Sequence, residues 1–438
     1  MTQKVFSILL VSTLLFFSII AASFGKNVTD PLNIRAGSAI LVDGSSGRIL
    51  YAKNPDQLLP TASMAKMMTE YLVLEAVKES RIQWNEKVQI SDYARKVSQN
   101  TKLSNVPLRT DVEYTIKELY EAMAIYSANG ATIALAERLS GSEIEFVKLM
   151  NQKAKDLDLK DYKFVNCTGL NNKDLYGMHP ANTGLNEEDM MSARATSILA
   201  YSLIRDYPEV FKFSRIPRKE FQKGTPDAIK MDNWNWMLPE LVFGYAGMDG
   251  LKTGSTDQAG YSFTGTAKRN GIRFISVVMM TDSFKTRFME TKKVLDYGFT
   301  NYVTKELLPA GKEYTVKVEN GRWKNIKAMN KNPLRVLVKR GEENLYDSYL
   351  KIDNPTGNGT ITAPMAKGAL VGRAALKYKG AEAPKYLTEK IKMMDGVEVV
   401  TLSEVKKAGF FFSLFYRITD FIADQWTRTF HFIADKIA

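Results

Sequence analysis

Three short clusters of reactive residues occur in one order along the chain: Ser63-Met64-Ala65-Lys66, Ser127-Ala128-Asn129 and Lys252-Thr253-Gly254. A serine hydroxyl becomes a useful nucleophile only when a neighbouring base removes its proton. The stretch from Thr61 to Leu72 follows Pro60 and reads as a helix. Residues three apart on a helix share a face, so Ser63 Oγ and Lys66 Nζ are expected to meet at its N-terminus. A lysine works as a base when burial or a second cation lowers its pKa. Lys252 is the candidate cation. The chain has two histidines, His179 and His431, and His431 lies in the C-terminal tail. A serine-histidine triad would therefore rest on His179 alone, in a segment that reads as a loop. Ser-x-x-Lys or Lys-Thr-Gly alone arises often by chance; the order, spacing and flanks of all three specify a serine acyl-transfer site with a lysine base.

Such a site needs a frame that brings distant segments together. Ser38–Asp43 and Arg48–Ala52 read as strands flanking the turn residues Gly44-Ser45-Ser46-Gly47. Residues 75–200 read as mainly helical, with amphipathic runs such as Thr115–Tyr126 and Ala131–Leu139. Strand character returns near Gly250, and Tyr261–Ala267 and Ile272–Met280 straddle a hairpin turn at Lys268-Arg269-Asn270-Gly271. This order pairs ends of the chain that are distant in sequence. It leaves a helical subdomain on one side of an antiparallel sheet, with a cleft between. Residues 312–400 carry short alternating segments separated by turn residues and read as a small all-β antiparallel sandwich, a spacer with no catalytic constellation.

Composition bounds the rest. With 438 residues the chain has room for two or three domains. The formal net charge of +12 is dispersed, with no long Lys/Arg run, which argues for a solvated surface and against nucleic-acid binding. Cys167 is the single cysteine, so no intrachain disulfide forms, and it reads as a buried small hydrophobe. No metal-ligand cluster is present and the chemistry needs no cofactor. Lys4 and the apolar run Val5–Ala22, followed by Ala21, Ala22, Ser23 and Gly25, read as an export leader over residues 1–25. Cleavage after Ser23 or Gly25 is expected, placing the mature protein outside the cytoplasm; an uncleaved N-terminal anchor is the competing reading, because the apolar run is long. At the other end, Phe411, Leu414, Phe415, Ile418, Phe421, Ile422, Trp426, Phe430, Ile433 and Ile437 recur at helical spacing. Charges fall opposite them, so residues 404–438 read as an amphipathic helix lying in a membrane interface, not crossing it.

The flanks of the three motifs resemble the low-molecular-mass penicillin-binding proteins of the peptidase S11 family, the D-alanyl-D-alanine carboxypeptidases. The matching stretches are Leu59–Thr69, Tyr126–Ala131 and Met248–Thr256, with Phe146–Asn151 and Thr168-Gly169-Leu170 between them. The resemblance implies a β-lactamase/transpeptidase-like α+β domain over residues 30–302. It also implies acylation by β-lactams and removal of the terminal D-alanine from the peptidoglycan stem pentapeptide, at the extracytoplasmic face of the bacterial membrane. Carried onto this chain, Ser63 is the nucleophile and Lys66 its base. Ser127 relays a proton to the leaving amine, and Asn129 holds the substrate amide. Lys252 supplies positive potential, Thr253 bonds the substrate carboxylate, and the N–H groups of Ser63 and Ser255 form the oxyanion hole. Arg287, in Arg287-Phe288-Met289-Glu290, is the candidate cation for the free carboxylate; its alternative is a surface arginine. Gly254 is expected to leave room for a substrate backbone along the edge strand. A serine β-lactamase or DD-endopeptidase on the same fold is the alternative, and a catalytically silent wall-binding scaffold a weaker one. No Glu-x-x-Leu-Asn element of the kind that activates a deacylating water is evident. The segment Asn171–Glu188 is longer than the resemblance leads one to expect.

Overall fold

The computed structural model describes residues 30–353, 359–393 and 396–410, together with residues 412, 418, 419, 422 and 425. The leader expected over residues 1–25 lies outside the described residues, as does most of the C-terminal amphipathic face, Trp426 included.

Strands β1 (Ser38–Asp43) and β2 (Arg48–Lys53) form the first hairpin. Its turn is held by the Asp43 carboxylate, which accepts from the Ser45 and Ser46 hydroxyls and backbone N–H groups. The later strands are β3 (Met248–Thr256), β4 (Gly260–Arg269) and β5 (Ile272–Thr281). Asn270 and Gly271 carry φ of 49° and 81°, as a two-residue type I′ turn requires. β5 pairs antiparallel with β1, Leu41 opposite Ser276, and so joins the two ends of this unit. β3 is the outer strand of the sheet, with β4 on its inner side.

The helices pack between and over these strands. Helix α1 (Lys66–Lys78) is buried at every position from Lys66 to Leu74, the polar Lys66, Thr69 and Glu70 included. Five others start on side-chain caps: Ser91 for α2 (Asp92–Ser98), Thr115 for α3 (Ile116–Tyr126), Ser142 for α5 (Glu143–Asp156), Ser192 for α6 (Ala193–Asp206) and Ser283 for α7 (Phe284–Asn301). Thr115 and Glu118 make a reciprocal capping box. Helix α4 (Asn129–Ser140) has no side-chain cap and begins inside the cleft. Its Gly130 meets α2 closely: a Cβ there would lie 2.5 Å from Ser98 Cβ.

The second half is a six-stranded sheet backed by the pair Tyr302–Leu308 and Leu334–Lys339. Its strands in chain order are β6 (Glu313–Glu319), β7 (Asn325–Asn330), β8 (Tyr346–Ile352), β9 (Thr360–Thr362), β10 (Leu370–Tyr378) and β12 (Val397–Thr401). The expected all-antiparallel pattern is broken once: β6 and β9 run parallel, Lys317 opposite Thr360. Leu308, Val316, Leu334, Ile361, Val371, Val399 and Val405 fill the core between the layers.

Two boundaries differ from the sequence expectation. Strand β11 (Lys385–Tyr386) leaves the second sheet and pairs with β2, while Leu387 and Ile391 enter the hydrophobic core of the first unit. Residues from 404 do not all belong to the tail. Val405 is a core residue, Met365 pairs with it, and Gly321 pairs with Lys407. The sandwich therefore runs to about Ala408, and helix begins at Phe410. Among the described residues no helix is long and apolar enough to cross a membrane.

Candidate active site

Ser63 sits in a 3₁₀ turn, Ala62–Ala65, that runs directly into α1. The turn is forced. Ala62 has φ of 48°, and the Thr61 N–H and hydroxyl both donate to the Asp189 carbonyl, at 2.9 and 3.1 Å. Non-glycine residues in this region cost on the order of 1 kcal/mol and persist where surroundings over-determine them. From the other side Gly169, at φ 77°, presses on the turn: a Cβ there would stand 1.9 Å from the Ala62 carbonyl oxygen.

Lys66, the first residue of α1, is 0 % exposed, and its Nζ lies 2.9 Å from Ser63 Oγ. The Nζ also lies 2.7 Å from Asn129 Oδ1 and 2.7 Å from the Thr168 carbonyl oxygen. Those two partners can only accept. A neutral amine has two N–H donors and one lone pair, so the lone pair is left facing the Ser63 hydroxyl. Burial, and next the nearby Lys252 charge, hold the Lys66 pKa well below the ordinary lysine value. The start of a helix is also an unfavourable place for a cation. Among the described residues no hydrogen-bond partner of Lys66 Nζ is a carboxylate.

Ser127 ends α3 in a left-handed conformation, φ 60°, which turns its side chain toward β3. There Lys252 Nζ donates to Ser127 Oγ at 2.9 Å. Burial lowers the Lys252 pKa to about 8, against the opposing attraction of Glu70. Asn129 is engaged at both ends: Oδ1 faces Lys66 and Nδ2 donates to the Ser104 carbonyl at 3.0 Å. Its side chain thus orients the lysine, with a second Nδ2 N–H left over. Thr253 is buried and Ser255 exposed, on the opposite face of β3 from Lys252.

Gly254 has a steric neighbour within the chain that its sequence did not suggest. A Cβ there would lie 2.5 Å from the Thr61 carbonyl oxygen and 3.2 Å from Ala62 Cβ. The glycine lets the Ser63 turn pack on β3.

Arg287 is not a surface residue. It is 2 % exposed, and Nη1 donates to the Gly254 carbonyl at 3.3 Å. The guanidinium carbon lies 4.2 Å from the Phe284 ring centroid, 4.8 Å from Phe288 and 5.8 Å from Tyr261. Its Nε has no hydrogen-bond partner, and among the described residues no carboxylate pairs with it. Burial lowers its pKa, yet a guanidinium stays charged at neutral pH.

Sequence reasoning missed the residues behind the site. The fully buried Asp189 accepts the Val165 and Asn166 N–H groups at 2.6 and 3.2 Å, while its own carbonyl holds Thr61. One residue therefore ties the loop that offers the Thr168 carbonyl to the turn that carries Ser63. Burial raises its pKa to about 7. Glu143 accepts the Cys167 N–H at 2.9 Å, and burial, with Glu143 beside it, pushes the Cys167 thiol well up. Cys167 is therefore an inert core residue. Glu188 bridges the long rim segment to β3, accepting from Asn171 Nδ2 at 3.2 Å and from the Thr256 hydroxyl at 2.8 Å. His179 lies on that rim, partly exposed, without a bond to the catalytic groups.

This frame and site define a penicillin-binding-protein-like serine acyl-transfer enzyme. A family model described as "D-alanyl-D-alanine carboxypeptidase", peptidase S11, matches residues 25–283, and one described as "Penicillin-binding protein 5, C-terminal domain" matches residues 302–407. The chain belongs to the peptidase S11 D-alanyl-D-alanine carboxypeptidase family. It is 33 % identical over 416 residues to the D-alanyl-D-alanine carboxypeptidase DacF of Bacillus subtilis, covering 93 % of this chain and 96 % of that one. Among solved structures, a peptidoglycan synthesis regulatory factor (PBP3) from Streptococcus pneumoniae superposes with a TM-score of 0.73 at 32 % identity, covering 85 % of this chain and all of the other. Penicillin-binding protein D2 from Listeria monocytogenes, in its ampicillin-bound form, gives 0.51 at 33 % identity, covering 61 % of this chain and 99 % of that one.

Proposed function

We propose that the chain removes the terminal D-alanine from peptidoglycan stem pentapeptides through an acyl-enzyme on Ser63, and that β-lactams acylate the same oxygen. The observation that carries this is the buried Lys66 amine, 2.9 Å from Ser63 Oγ with its other two contacts taken by pure acceptors. The Lys66 lone pair takes the Ser63 proton as Oγ attacks the carbonyl between the two D-alanines. The Ser63 and Ser255 N–H groups receive the negative charge that develops on the carbonyl oxygen. Ser127, bonded to the Lys252 ammonium, passes a proton to the leaving amine of D-alanine. Water then hydrolyses the acyl-enzyme and restores Ser63. The substrate backbone adds along the open outer edge of β3. Its free carboxylate is met by Thr253 and by Arg287, whose buried, unpaired charge suits an anion. That no carboxylate among the described residues bonds Lys66 Nζ favours this reading over a β-lactamase with a glutamate-activated water.

We further propose that the protein is exported and held on the outer face of the membrane by its tail. Support comes from the leader-like residues 1–25 and from the exposed apolar side chains of Phe410, Phe412, Ile418 and Ile422. Ser63→Ala tests the central step: labelling by fluorescent penicillin and D-alanine release both disappear while the melting temperature holds. Labelling that survives removes Ser63 from the role.

A further inference from the structure

The turn between β6 and β7 carries Trp323, which is 63 % exposed, an uncommon setting for the largest apolar side chain. The turn is tied by its backbone to the residues just before the tail. The Arg322 N–H donates to the Lys406 carbonyl at 2.8 Å, and the Ala408 N–H donates to the Asn320 carbonyl at 2.8 Å. Side chains continue the link. The Arg322 guanidinium lies 5.8 Å from the Trp323 ring and 5.5 Å from the ring of Phe412. Phe410 is 77 % exposed and Phe412 41 %. One end of the sandwich thus brings the Trp323 and Phe412 rings to one guanidinium, with exposed Phe410 two residues before Phe412 in the chain. The surrounding charge is mainly positive. Arg322, Lys324, Lys406 and Lys407 are exposed there beside Glu319 and Glu404, the latter 3.7 Å from Lys406.

We propose that this turn is a second membrane contact: the Trp323 ring enters the headgroup region while Arg322, Lys324 and Lys407 face anionic lipid. The proposal rests on the tail being the primary anchor. Tryptophan suits the interface because it pairs an apolar body with an N–H donor, and basic residues beside it gain from a negative leaflet. Continuity with the tail, and a cationic rim around an apolar centre, favour a bilayer over a protein groove. A tail alone leaves the sandwich free to tilt. A second contact on the rigid β6–β7 hairpin fixes which end of the sandwich meets the lipid.

The test uses the mature full-length protein and vesicles of phosphatidylglycerol and phosphatidylethanolamine, with and without brominated acyl chains. Subtracting the emission of Trp323→Phe from that of the wild type isolates Trp323. The substitution keeps an apolar ring at an exposed site, so the fold and flotation should persist. The expected result is that both proteins float and that the Trp323 emission is quenched by bromolipid. Lys324→Ala should weaken partition onto the anionic vesicles by about fivefold. Flotation with an unquenched Trp323 overturns the proposal and leaves the anchor standing. Failure of the wild type to float overturns both. A Trp323 response to soluble polyphosphate but not to vesicles assigns the patch to wall polymers and likewise overturns it.

Discussion

Replacing Lys66 with glutamine isolates the lone pair from everything else the lysine does. A glutamine side-chain amide retains N–H donors for Asn129 Oδ1 and the Thr168 carbonyl, the two acceptors at 2.7 Å. It has no basic nitrogen to face Ser63 Oγ. Losing a positioned base costs about 10²–10⁴ in rate, or about 2.7–5.4 kcal/mol at 1.36 kcal/mol per tenfold. Stopped acylation with fluorescent penicillin, read as a second-order rate constant, is the assay. The wild-type pH profile carries the same logic. Lys66 must be neutral, and burial lowers its pKa, so the rate climbs as pH rises through that lowered value, well before 10. Lys252 must be charged, so the rate declines as pH passes about 8. In Lys66→Gln the rising limb should vanish. A variant that acylates within tenfold of wild type, with its acid limb intact, would refute the assignment of the base.

The buried lysine should also mark stability. Between its lowered folded pKa and the unfolded value near ~10.4, the unfolded chain binds the extra proton. Wild-type stability should therefore gain on that of Lys66→Met as pH rises from the lowered folded value toward the unfolded one; parallel melting curves against pH would contradict this. Arg287→Met removes a buried charge that lacks a carboxylate partner. It should raise the melting temperature while slowing peptide turnover by roughly ten- to a hundredfold, as loss of about 1.5–3 kcal/mol of charged hydrogen bonding implies. β-Lactam acylation should suffer less, and equal losses on both substrates would remove Arg287 from carboxylate recognition. Gly254→Ala places a methyl 2.5 Å from the Thr61 carbonyl. It should cost about 1–3 kcal/mol of stability and slow labelling at Ser63, and unchanged labelling would show that the turn tolerates the shift. Deleting residues 410–438 should give an active enzyme that no longer floats with vesicles, whereas a cut at 404 should destabilise the sandwich by removing Val405.

The Ser63–Lys66, Ser127–Asn129 and Lys252–Gly254 clusters were legible because their spacing is local or their residue types are restrictive. Ser63 and Lys66 sit three apart on a helix start, and the Asn270-Gly271 hairpin and the serine and threonine caps follow the same short-range rules. What the chain hides is long-range. Lys66 meets Thr168 across 102 positions, and Asp189 binds the Val165–Asn166 backbone and Thr61, neither of which marks it in a single sequence. Gly254 was noticed for a sound reason, steric crowding, but the crowding atom belongs to a residue nearly two hundred positions away. Arg287 read equally well as surface or site because its neighbours in sequence say nothing of the aromatic rings folded over it. The strand at Lys385–Tyr386 is two residues long, too short to carry periodicity, and the parallel pairing of β9 depends on a partner that alternation cannot name.

That two-residue strand has a bearing on how the chain is made. A polypeptide leaves the ribosome, or crosses a membrane, with its N-terminus first. β2 is among the first strands delivered, yet the partner for its outer edge arrives more than three hundred residues later. Until then its backbone groups stay unpaired, and the socket beside Gly47 and Tyr201 waits for Ile391. Nearly the whole chain must therefore emerge before this edge of the first unit is covered. That interval is when a nascent molecule is most open to pairing with a neighbour.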